Sequence, residues 1–94
     1  MLDIDEMREI LAKRYYGLLS PQDYDFVISA REEDDFWEVD DFLQTALLRD
    51  IHIDDSLLAE IKDSIPMAFP KDMQPRLNGW IAKHEERNAA LAKQ

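Results

Sequence analysis

Residues 34 to 49 read Asp34-Asp35-Phe36-Trp37-Glu38-Val39-Asp40-Asp41-Phe42-Leu43-Gln44-Thr45-Ala46-Leu47-Leu48-Arg49. At 100° per residue Phe36, Val39, Leu43, Ala46 and Leu47 fall within one broad face, as a core-facing helix requires. Acid at the start of this segment suits the positive end of the helix dipole. The rest of the chain repeats the i, i+3, i+4 spacing, and it holds only two glycines, Gly17 and Gly79. The expected fold is all-α: a compact bundle of about five short helices in a single domain spanning 1–94.

Upstream, Asp3 and Glu6 form a capping-box-like pair ahead of Ile4, Met7, Leu11 and Tyr15, which share a helix face that Gly17 closes. Ser20 with Pro21 signals a second start, followed by a short helix through Tyr24, Val27 and Ile28. The Val27-Ile28 pair would also suit a strand. Downstream, Asp54 or Asp55 caps a helix carrying Leu57, Leu58, Ile61 and Ile65, which Pro66 is expected to end. A last helix, capped by Asp72 with Pro75 in its first turn, aligns Met73, Leu77, Trp80, Ile81, His84 and Leu91.

The formal charge of −10 is unevenly spread. Residues 1–65 carry 18 acidic against 6 basic side chains, and residues 66–94 carry 3 against 5. Seven of the ten residues from Glu32 to Asp41 are acidic, and the others are Phe36, Trp37 and Val39. Such a field disfavours nucleic acid and anionic lipid and speeds encounter with a basic protein. The interleaved aromatics separate the run from a disordered acidic tail. No apolar stretch approaches a membrane span, and the first residues lack the pattern of a signal peptide, so a cytoplasmic protein is expected. The absence of cysteine removes disulfides, thiolate metal sites and a cysteine nucleophile.

Motifs for catalysis fail one by one. His84-Glu85-Glu86-Arg87-Asn88 has Asn88 where a zinc-protease helix needs its second histidine. Asp50 to Asp55 begins with the alternation of an EF-hand, but Asp55 and Ile61 stand where that loop needs Gly and Glu. No glycine-rich phosphate loop is present. His84 falls within the apolar stripe of the last helix and reads as a packed core residue. His52 has no nucleophile paired to it in sequence. An enzyme is not expected, and no cofactor or metal is implied.

The sharper signal is geometric. With Phe36, Val39 and Leu43 inward, Asp34, Glu38 and Asp41 at i, i+4 and i+7 form a column of carboxylates on the opposite face. Like charges so stacked destabilise an isolated helix, a cost that a basic partner relieves. Trp37, in line with Asp41, Gln44 and Leu48, gives the column an aromatic ridge. Asp34, Trp37, Glu38 and Asp41 are therefore the expected partner contacts, with Glu32, Glu33, Asp35, Asp54 and Asp55 as outer charges. Arg76, Lys83 and Arg87 along one edge of the last helix read as internal charge balance.

In size, charge and helical content the chain is similar to small acidic immunity proteins that neutralise nuclease toxins, and to phage-encoded, anti-CRISPR-like inhibitors that imitate DNA. The expected function is accordingly to bind and neutralise a basic nucleic-acid-handling protein, first as an immunity protein and second as an anti-defence inhibitor. The partner is a nuclease toxin or other nucleic-acid-binding protein, with no direct contact to nucleic acid or membrane. The chain is expected to be a monomer when free and a heterodimer with its target. A non-enzymatic adaptor or small subunit of a larger assembly is the alternative.

Overall fold

The chain folds as five α-helices with no strand among the described residues, which are 1–93 of the computed structural model. α1 spans Ile4–Arg14, α2 Pro21–Ser29, α3 Asp35–Leu48, α4 Asp55–Ala68 and α5 Gln74–Ala92. Short 3₁₀ turns, Tyr16–Leu18 and Ala30–Glu32, follow α1 and α2. The Cα radius of gyration, 12.6 Å, is that of one compact body of this length. Among the described residues no helix is long and apolar enough to cross a membrane.

Local chemistry sets most helix starts. Asp3 and Glu6 close a reciprocal capping box on α1, Asp3 Oδ1 accepting the Glu6 N–H at 2.8 Å and Glu6 Oε1 the Asp3 N–H at 3.2 Å. Ser20 Oγ accepts the Asp23 N–H at 3.1 Å, and Pro21 takes the first helical position of α2. The Val27-Ile28 pair is thus helical, with Val27 fully buried. α3 ends in a left-handed residue, Asp50 at φ 55°, after which the Ile51 N–H returns to the Ala46 carbonyl at 2.9 Å. That is the six-to-one bond of a Schellman stop, made without glycine.

Three expectations at the C-terminal half need correction. Pro66 does not end α4, which continues to Ala68. So near the terminus the missing N–H forfeits only one helical bond, and buried Ile65 and Phe69 hold the last turn, with the Phe69 N–H on the Ile65 carbonyl at 3.1 Å. Asp72 does not cap α5, since the cap position is Met73 and no side chain bonds there. Burial of Met73 and Leu77 sets the phase instead, and Gln74 Nε2 donates to the Phe69 carbonyl at 2.9 Å. Leu91, placed on the apolar stripe by spacing, is exposed.

Packing makes α3 the central helix. It lies against α1, α2 and α5, while α4 packs on α5. Val39, Leu43 and Ala46 are fully buried as expected, and so is Phe42, which meets the Tyr15 and Tyr16 rings at 6.0 and 5.2 Å between centroids. Phe36, expected in the core, is half-buried against Phe69 at 5.7 Å.

Candidate functional site

A helix enclosed on three sides has no wholly solvated face, and this decides the fate of its carboxylates. Asp34 is exposed and caps its own helix, Oδ1 accepting the Phe36 N–H at 3.2 Å. Glu38, expected at the surface, is only 2% exposed. Its Oε1 accepts from Arg8 Nε at 3.2 Å and lies 3.1 Å from Arg31 Nε, and its Oε2 accepts the Tyr16 hydroxyl at 2.7 Å. The column of three exposed carboxylates is therefore corrected: Glu38 ties α3 to α1 and to the turn after α2. Burial, with help from the bond to Glu38, pushes the Tyr16 phenol well above its ordinary value.

Asp40 carries a second buried network that the spacing did not reveal. It is fully enclosed, and Arg76 Nε donates to Oδ1 at 2.9 Å and Oδ2 at 3.0 Å while Trp80 Nε1 donates to Oδ1 at 2.9 Å. The Arg76 guanidinium carbon lies 5.7 Å from the Trp37 ring centre and 5.6 Å from that of Trp80. Lys83 Nζ sits 5.4 Å from the same Trp80 ring. These are cation–π contacts braced by a buried carboxylate. The internal charge balance expected of the last helix is found at Arg76 with Asp40 and at Arg87 with Asp50, 3.6 Å away, and Arg87 also bonds the Ile51 carbonyl beside the end of α3.

Asp41 and Trp37 open instead on a groove between α2 and α3, about 400 Å³ in volume. Phe26, Ala30 and Trp37 give it apolar walls, Ser29 lies within it, and Glu32, Glu33 and Asp41 supply its charge. Phe26 projects with 54% of its surface exposed, and Trp37 is half-buried. The Asp41 carboxyl is held above the ordinary aspartate value by its own burial and by Asp40 beside it, with Arg76 opposing and Glu33 adding a little. Among the described residues no basic side chain lines the groove.

The remaining expected contacts lie elsewhere. Asp35 pairs with Arg8 at 3.3 Å. Asp55 accepts from Asn88 Nδ2 at 2.8 Å, and exposed Asp54 precedes α4, its N–H donating to the Tyr15 hydroxyl at 3.2 Å. Neither lines the groove, and nor does the exposed Leu48. Of the nine expected positions, the groove therefore gathers Glu32, Glu33, Trp37 and Asp41. Phe26, Asp40 and Arg76 were not among them. Their signal was the excess of apolar residues around α3: Phe42 and Trp37 lie off the face of Val39 and Leu43, and so call for neighbours on more than one side.

His84 is fully buried and its Nε2 lies 2.9 Å from the Leu43 carbonyl, so it is the packed core histidine its spacing implied. Burial lowers its pKa, and the nearby Arg87 charge lowers it further. Exposed His52 takes no part in the groove. Among the described residues no three His, Asp or Glu side chains gather as metal ligands. Comparison with protein-family models, with curated proteins and with solved structures finds no match. The geometry of the groove is what speaks to function.

Proposed function

We propose that this chain is a binding protein that neutralises a basic, nucleic-acid-handling partner, most specifically as an immunity protein against a nuclease toxin. The observation that carries this reading is the α2–α3 groove, where Phe26 and Trp37 stand beside Glu32, Glu33 and Asp41. Aromatic walls offer contact area that is desolvated on binding, and rim carboxylates steer a basic surface and fix its register. The surrounding field has the same sign, because 18 of the 21 acidic residues lie in residues 1–65. On this reading the carboxylates offer a basic partner the negative charge it otherwise meets in phosphates.

The test is affinity capture from the native host with wild type and with the Glu32→Gln/Glu33→Gln/Asp41→Asn variant, followed by assay of the captured protein. The expected result is a basic nuclease held by wild type, weakened in the variant, released by salt and inactive when complexed one to one. Retention of the same partner by both forms, or self-association alone, refutes the reading and favours a permanent subunit.

A further inference from the structure

Asp40 and Asp41 are consecutive on α3 but differ in burial and in partners. Asp40 has its arginine: Arg76 bonds both carboxylate oxygens and lies against Trp37 and Trp80. Asp41 faces the groove with Trp37 and Phe26 as walls and Glu33 nearby, and among the described residues no basic side chain lines that space. The basic residues nearest in sequence are engaged elsewhere, Arg49 with Asp23 at 2.8 Å and Arg31 with Glu38 at 3.1 Å. Burial and the adjacent Asp40 outweigh the Arg76 charge in disfavouring the ionised form of Asp41, so a cation brought to the groove side relieves a cost already present in the fold.

We propose that the groove takes an arginine side chain of the partner protein, its guanidinium packed on Trp37 and Phe26 and forked onto Asp41 and Glu33. The contact repeats across an interface what Arg76 does with Asp40 and Trp37 inside the chain. Arginine fits better than lysine because its planar, weakly hydrated head stacks on aromatic faces and presents paired donors to carboxylates, whereas an ammonium is a compact and strongly hydrated point charge. The inference rests on the reading of the partner as basic and names the group that enters.

The test uses N-acetyl-arginine methylamide as probe, with the citrulline and lysine analogues beside it, in ¹H–¹⁵N NMR titrations of the full chain at low salt. Saturable shifts are expected at Ala30, Glu33, Asp41 and the Trp37 indole N–H, with citrulline about tenfold weaker and lysine intermediate. Asp41→Asn and Phe26→Ser abolish the saturable binding. Phe26 is exposed, so its replacement keeps the fold. Glu60→Gln/Asp63→Asn, exposed on α4, leaves binding unchanged. Equal binding of citrulline, shifts spread over the whole acidic surface, or undiminished binding by Asp41→Asn and Phe26→Ser overturns the proposal. Capture and inhibition of a basic protein equally by wild type and both groove variants overturns the arginine anchor and leaves the neutralising function standing. Groove-specific arginine binding with no basic protein ever inhibited does the reverse.

Discussion

Glu38→Ala separates a structural carboxylate from a surface one. In the fold Glu38 is enclosed and serves Arg8, Tyr16 and Arg31 at once. The bonds from the mostly buried Arg8 and from the Tyr16 hydroxyl are charge-assisted and each contributes about 1.5–3 kcal/mol. Arg31, half exposed, adds about 0–1 kcal/mol. Alanine also removes the desolvation cost of the carboxylate, but leaves the Arg8 guanidinium and the Tyr16 hydroxyl without their acceptor. The net loss is about 3–5 kcal/mol, the range for deleting one member of a buried pair. A domain of this length has about 5–15 kcal/mol in total, so the variant is marginal at room temperature. At about 4–8 °C per kcal/mol, its thermal midpoint falls by about 12–40 °C. Urea unfolding followed by far-ultraviolet circular dichroism measures this, with the slope against denaturant expected to match wild type. Glu33→Ala, at the groove rim, is the control and keeps wild-type stability. A Glu38→Ala stability within about 0.5 kcal/mol of wild type refutes the network and returns Glu38 to the surface.

Leu43→Ala, at a fully buried position, loses about 2–5 kcal/mol in the same assay. Trp80→Ala is also destabilising, because it frees one bond to buried Asp40 and uncovers Arg76. An unchanged midpoint for either contradicts the packing of α3 on α5. Asp41→Asn moves the other way. Since the folded carboxyl titrates above its ordinary value of 3.8, stability falls as pH rises through that interval, and the loss is complete above it. The asparagine variant is therefore slightly more stable than wild type at neutral pH while binding its partner less well, and a lower urea midpoint at neutral pH contradicts this. His84 gives the opposite slope. Its folded pKa lies below the ordinary 6.5, so its contribution is present above that value and is lost as pH falls toward the lowered one. An NMR titration that finds the His84 imidazole at or above 6.5 refutes its burial as a neutral ring.

The sequence made the helices legible because their causes are local. The Asp3/Glu6 box and the Ser20-Pro21 start act within three residues, and spacing alone identified Val39, Leu43 and Ala46 as core and His84 as packed. The ends were harder to see. Pro66 was read as a stop, but tertiary burial of Ile65 and Phe69 carried α4 past it, and α5 took its phase from Met73 and Leu77 instead of from an Asp72 cap. The candidate site was half legible. Glu32, Glu33, Trp37 and Asp41 were drawn from the acidic run and do line one groove, whereas Phe26, on another helix, entered only through the packing of α2 on α3.

What the sequence determined by itself was an all-helical chain with its acid concentrated in residues 1–65, since hydrophobic period, caps and charge are properties of neighbours along the chain. What only the tertiary structure decided was which carboxylates meet water. Glu38, Asp40 and Asp41 are chemically alike and lie within four residues of one another, yet the first is enclosed by Arg8 and Tyr16, the second by Arg76 and Trp80, and the third is left at a groove. Their difference comes from partners 22 to 40 residues away along the chain, and a helical period cannot report contacts made at that distance.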